Sequence, residues 1–216
     1  MPEQLLVAGL VGRCARLEPL MLSHVEDLVD ACQVDRSMYG FTPVPEDRAS
    51  MERYVSDLLS EWQAGLVVPF AQVDQFSERA VGATRFMTLR RRSVEDLPYA
   101  VEIGGTWLGS RAQRTGINTE AKFLMLRHAF ETWGVARVDL KTDARNERSR
   151  TAILRIGATF EGVLRSWQPS LVDGEQRLYR DSAMYSITNV EWPRVREYLK
   201  SLIDSRSPGA GTIEAP

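Results

Sequence analysis

The sequence predicts one mixed α/β domain over residues 1–204. Segments with the two-residue alternation of strands exchange along the chain with segments whose apolar residues recur every three to four positions. Most of these exchanges fall on a glycine, a proline or a polar turn. The resulting order is strand, two helices, a strand meander, then strand–helix–strand–helix–hairpin and a last helix. At 216 residues the chain can bury the core of one ordinary domain, and no repeat, low-complexity tract or linker divides it.

Residues 5–17 alternate apolar with small or polar groups, as a first strand or hairpin does. Leu20, His24, Leu28 and Ala31 share one face of a helix from Leu20 to Cys32, after the turn at Pro19. Past Pro43 and Pro45, the residues Met51, Tyr54, Val55, Leu58, Leu59 and Trp62 form the stripe of a second helix, which Gly65 stops. Residues 66–73 and 79–90 are strands flanking the polar turn Asp74–Glu78, and Tyr99–Leu108 is a strand after the basic turn Arg90–Arg92. An amphipathic helix over Ile117–Trp133, with Ile117, Ala121, Leu124 and His128 on one face, ends at Gly134. Arg137–Thr142 is a short strand, and Asn146–Ile156 a helix closed by Gly157. Phe160–Ser166 and Arg180–Ile187 make a hairpin around Asp173-Gly174. The last helix covers Trp192–Leu202, and residues 205–216, rich in Ser, Pro, Gly and Ala, are expected to be disordered.

Composition excludes several function classes. A 44% apolar, 26% charged chain is that of a globular protein, and a net charge of −2 gives no field favouring nucleic acid or anionic membranes. Arg90-Arg91-Arg92 is too short a run to change that. No apolar stretch approaches the roughly 20 residues of a membrane span, and the N-terminus lacks the basic region of a signal peptide. A cytoplasmic protein is expected, with Cys14 and Cys32 as reduced thiols. His24 and His128 are core or surface residues by their spacing, and with no Cys or His at ligand distance no metal is expected. Arg145, Arg148, Arg150 and Arg155 form either an anion-binding rim or a solvated helix face.

The most informative stretch is 102–120. A strand stops at glycines, passes through a basic loop containing Arg111 and Arg114, and opens into the long helix. Loop and helix N-terminus aim backbone N–H groups at one spot, as a phosphate site requires, and the arginines add charge. Such a loop also serves as an ordinary strand–helix turn. A second motif decides between the two: Asn146-Glu-Arg-Ser149 opens a helix that ends at Gly157 and continues into Ala158-Thr-Phe-Glu-Gly162.

Together these motifs resemble the GNAT superfamily of acyl-CoA-dependent N-acyltransferases, in its RimJ/RimL-like branch. The family loop Gln/Arg-x-x-Gly-x-Gly/Ala reads here as Gln113-Arg-Thr-Gly116-Ile-Asn118, with Asn118 replacing a small residue. The resemblance implies a mostly antiparallel twisted sheet, with one splayed parallel strand pair that leaves a slot, flanked by about five helices. It implies acyl-CoA as co-substrate. Gln113, Arg114, Thr115, Gly116, Ile117, Asn118 and Thr119 would cradle the pyrophosphate, and Trp107, Leu108 and Gly109 would pair with the pantetheine arm. Asn146 would bond that arm, or simply cap its helix. Ser149 would assist the leaving thiolate, or simply follow the cap. Glu102 matches the family's catalytic glutamate, although Glu102-Ile-Gly-Gly-Thr-Trp107 holds one residue more than the branch pattern, which could turn the carboxylate to the other face. A homodimer or higher homo-oligomer is the branch's expectation.

Acid–base magnitudes narrow the acceptor. At pH 7.5 roughly a third of protein α-amines are neutral, against about one lysine amine in a thousand. A carboxylate, with a pKa near about 4.3, is a weak base that would act through an ordered water. It therefore suits an α-amine better than a lysine. A protein N-terminal or lysine amine, acylated with acetyl, succinyl or another acyl group, is the expected reaction. A small-molecule amine acyltransferase and a non-catalytic acyl-CoA sensor are the alternatives.

Overall fold

The computed structural model describes residues 3–94, 96–175 and 177–205; of the expected disordered segment, residues 206–216 lie outside it. Among the described residues the order is β1 (Leu10–Val11), β2 (Ala15–Pro19), α1 (Val25–Gln33), α2 (Arg48–Gln63), β3 (Val68–Asp74), β4 (Arg79–Arg90), β5 (Ala100–Leu108), α3 (Ile117–Arg127), β6 (Arg137–Asp143), α4 (Glu147–Arg155), β7 (Thr159–Pro169), β8 (Tyr179–Thr188) and α5 (Trp192–Asp204). Short 3₁₀ turns precede α1 and α3. The eight strands form one sheet in the order β1-β2-β3-β4-β5-β6-β8-β7. All neighbours are antiparallel except β5 and β6, the parallel pair that the family resemblance implied.

Each sheet face carries its own core. One cluster joins α3, α4 and α5 to Val101, Ile103, Val138, Leu140, Ala183, Tyr185 and Ile187. The other joins α1 and α2 to Ala71, Val73, Ala83 and Trp107. Two expectations for the third helix need correction. It is not amphipathic, because every residue from Thr119 to Leu126 is buried: α5 covers its outer side, with Trp192 against Phe123 and Phe130. Nor is it α-helical to Trp133, since the turns over His128–Thr132 widen to a π-helix before Gly134, at φ +67°, reverses the chain.

A buried carboxylate ties the N-terminal hairpin to α3. Glu120 accepts the backbone N–H groups of Arg13, Cys14 and Ala15 at 2.7, 2.7 and 2.8 Å. Gly12 makes the room, because a Cβ there would stand 2.3 Å from the Glu120 carboxyl carbon. Burial, with Glu120 beside it, pushes the Cys14 thiol up to about 12, so it stays protonated. Glu120→Ala orphans the three donors and is expected to cost about 3 kcal/mol, at roughly 1 kcal/mol each. Urea unfolding of the two proteins checks this, and a loss below about 1 kcal/mol would contradict it.

Candidate functional site

The parallel pair is short. Only Ala100–Glu102 pairs with Arg137–Asp139, and beyond that β5 runs on to Leu108 without β6 beside it. This is the slot that the resemblance implied. Along its β5 wall the register against β4 jumps between Arg85↔Gly104 and Ala83↔Trp107, so two β4 steps face three on β5. The additional residue is thus absorbed as a β-bulge, with Gly105 at φ +57°. Val101 and Ile103 face the α3 core, Thr106 bonds Lys122 of α3, and Trp107 joins the α1–α2 core. Glu102 and Trp107, five positions apart, consequently share the face turned away from α3.

Glu102 is buried where the two strands part. Its Oε2 accepts from Lys141 Nζ at 3.3 Å and from the Thr88 hydroxyl at 3.2 Å. Thr88 stands at φ +50°, in a second bulge, on β4. A β-branched residue rarely adopts that conformation, and the strain aims its hydroxyl at the carboxylate. Asp139, beside Glu102, is held by Arg90 and Arg137, and Arg137 also pairs with Glu161.

At the far end of β5 the three proposed rail residues differ. Gly109 donates its N–H to Val81 O at 2.8 Å, so its amide belongs to the sheet. Its lack of a side chain admits α1, since a Cβ would lie 2.4 Å from Ala31 O. Trp107 O accepts from Gln72 Nε2 at 3.1 Å. Leu108, one step from Gly109, turns its backbone groups away from β4. Its carbonyl accepts from Tyr39 Oη at 3.1 Å and Gln113 Nε2 at 2.8 Å. Burial pushes the Tyr39 phenol up to about 12, which keeps it a donor.

The loop Ser110–Gly116 then turns through Arg114, at φ +62°, and delivers Gly116 as the residue before α3. Thr115 Oγ1 accepts the Ile117 N–H at 3.3 Å and donates to Ala112 O. Thr119 is buried, and its hydroxyl accepts from Arg155 at 2.6 Å. Asn118 Oδ1 is buried with no hydrogen-bond partner among the described residues. An orphaned acceptor at a helix N-terminus fits a ligand that carries amide or hydroxyl donors beside its phosphates, as acyl-CoA does.

Across the slot, Asn146 caps α4, its Oδ1 accepting the Ser149 N–H at 3.0 Å. The capping reading holds for both residues and leaves the Asn146 amide nitrogen as a donor. The four arginines are neither a uniform rim nor a solvated face. Arg148 bonds the Gln113 side chain, and Arg155 bonds Thr119, so both tie α4 to the cradle. Arg150 bonds Tyr185 and Ala144 O, and Arg145 pairs with Asp143 and Glu175. Neither histidine enters the site: His24 bonds Glu18 and the Met21 N–H, and His128 packs tilted against Phe86 and edge-on to Trp133.

Three residues escaped the sequence reading. Lys141 could have been found from its alternation with Asp139 on a predicted strand. Lys122, one of three lysines in the chain, sits in a run of apolar helix residues, a signal in itself. It is buried behind the bulge and bonds Thr106 Oγ1 at 2.6 Å and Thr84 Oγ1 at 3.3 Å. Arg180 is buried on the Glu102 face, and burial lowers its pKa from the usual arginine value. Among the described residues no group of three His, Cys, Asp or Glu side chains could hold a metal ion, and no helix is long and apolar enough to cross a membrane.

A sequence profile of the acetyltransferase (GNAT) domain matches residues 15–159. Among solved structures, a GCN5-related N-acetyltransferase from Brucella melitensis is 27% identical, covers 94% of this chain and 89% of its own, and superposes with a TM-score of 0.80. A T. thermophilus protein described provisionally as an acetyltransferase is 31% identical, over 91% of this chain and 97% of its own, with a TM-score of 0.77. RimJ of Mycobacterium smegmatis, solved in complex with CoA-disulfide, shares the fold at 21% identity, over 89% and 90% of the two chains, with a TM-score of 0.73. No functionally curated protein matches in sequence. With the splayed pair and the profile in agreement, the chain belongs to the GNAT family of acyl-CoA-dependent N-acetyltransferases.

Proposed function

We propose that the protein transfers an acetyl or succinyl group from acyl-CoA to a primary amine, with the α-amine of a protein N-terminus as the preferred acceptor. One observation carries the reading: the bulge at Gly104–Gly105 puts Glu102 on the same face as Trp107, at the point where β5 and β6 part. Acyl-CoA supplies the reactive thioester. The amides at the start of α3 hold its pyrophosphate with the help of Arg111 and Arg114, and the Asn146 amide holds the pantetheine arm. Glu102, steadied by Lys141 and Thr88, takes the amine proton through a water, and the Ser149 hydroxyl gives a proton to the departing sulfur. Both cysteines lie outside these motifs, so the amine attacks directly and no acyl-cysteine forms.

Calorimetric titration with CoA, acetyl-CoA and succinyl-CoA tests the cradle, and thiol release with N-terminal peptides and a polyamine panel tests the acceptor. Binding followed by faster turnover of α-amines is the expected result. Failure of all three titrations would remove the acyltransferase reading, and binding without thiol release would leave an acyl-CoA sensor.

A further inference from the structure

Ala183, Tyr185 and Ile187 of β8 point into the α3-side core, so Arg180 and Ser182 lie on the opposite face, with Glu102, Lys141 and Asp143. Arg180 is 7% exposed and Ser182 0%. Arg180 Nε and Ser182 Oγ are both buried, and among the described residues neither has a hydrogen-bond partner. Two orphaned polar groups, two residues apart on one strand, are costly to keep in a fold.

The neighbouring carboxylates do not relieve them. Asp143 is bound by Arg145 through Nε at 3.0 Å and Nη2 at 2.8 Å. Glu102 accepts from Lys141 and Thr88, both on Oε2. Their negative charge favours the Arg180 cation, but neither accepts a hydrogen bond from it. Nor is the spot open to water as an ordinary surface arginine is. Arg145, whose charge acts on Arg180, stacks on Phe41, from the α1–α2 connection, and pairs with Glu175, from the β7–β8 connection, so both loops meet at this arginine.

A guanidinium offers five donors in a planar fork, the shape that grips a carboxylate with two parallel bonds. We propose that Arg180, with the Ser182 hydroxyl beside it, binds a carboxylate brought by one of the two substrates. It is either the distal carboxylate of a dicarboxylic acyl group or a carboxylate on the amine acceptor. The assignment rests on the acyltransferase reading and gives it a substrate class.

The test compares two matched pairs. Acetyl-CoA is set against succinyl-CoA with one neutral acceptor, and an alanyl dipeptide is set against its C-terminal amide with acetyl-CoA. Both kcat/KM from thiol release and Kd from calorimetry, with CoA-saturated protein for the acceptors, are measured for wild type, Arg180→Met and Arg180→Lys. In one pair, wild type is expected to favour the carboxylate member by about 30-fold, the low end for removing one side of a buried charge pair. Arg180→Met brings that ratio within about threefold of unity, and Arg180→Lys retains part of it. The pair that responds tells donor from acceptor. Equal preference within both pairs in wild type, or a preference that survives Arg180→Met, overturns the assignment. If Arg180→Met loses CoA binding through misfolding, the wild-type and Arg180→Lys ratios decide. A wild-type protein that binds no CoA fails at the earlier step, and the acyltransferase reading falls with it.

Discussion

Glu102→Gln is expected to lower kcat/KM for acyl transfer by roughly 100-fold or more, the usual contribution of a positioned general base, while CoA affinity stays within about threefold. Glutamine preserves the shape and can still accept from Thr88, so the change isolates the charge. Glu102→Asp should recover part of the rate, because the carboxylate is retained and only its reach to a bound water shortens. Steady-state kinetics beside calorimetry make the check. If Glu102→Gln turns over like wild type, the carboxylate is a partner for Lys141 and nothing more. Parallel losses of rate and CoA affinity would instead mean that the parting of β5 and β6 had collapsed.

The second large effect lies behind the site. Lys122 is enclosed between α3 and the sheet with two threonine hydroxyls and no carboxylate, and burial alone pulls its pKa down to about 7. In the unfolded chain the amine titrates near about 10.4. Between those values the unfolded state binds the proton that the folded state has released, so stability rises with pH across the window, by about 1.4 kcal/mol per unit. At and below pH 7 the whole cost is present. Lys122→Met removes that cost while keeping most of the volume. The variant should therefore be more stable than wild type at pH 7, and the difference should shrink by roughly 4 kcal/mol toward pH 10. Urea unfolding of both proteins at pH 7, 8, 9 and 10 measures it. A difference that ignores pH would show that the amine keeps its proton inside the fold.

Much of this architecture was legible in the sequence because the chain marks its own boundaries. Gly65, Gly134 and Gly157, each at positive φ, close helices where the periodicity ends, and Asp173-Gly174 lies between β7 and β8 as a hairpin signal should. The family likeness added the parallel pair, which periodicity alone does not specify. What escaped depends on neighbours far away in the chain. The burial of α3 on all sides requires Trp192, about 70 residues downstream of its first turn, to pack against Phe123 and Phe130. The Gly109 N–H, expected to face the pantetheine arm, is used by Val81 O through a strand register that no local motif encodes. Arg180 reads locally as any strand arginine, and only its burial with an unpartnered Nε makes it unusual.

Gly104 and Gly105 carry a consequence for comparing this chain with its kin. Side-chain chemistry on β5 is inherited residue by residue, but its direction is inherited as a count. A descendant that lost one of the two glycines would keep every acid, base and aromatic group of the site, and an alignment would score the loss as a trivial gap. Its strand would have no bulge left to make, and plain alternation would keep Glu102 and Trp107, then four positions apart, on one face; a single added residue that no bulge absorbed would instead turn Glu102 into the apolar layer against α3. Relatives of different β5 length are best matched on spacing first and on letters second.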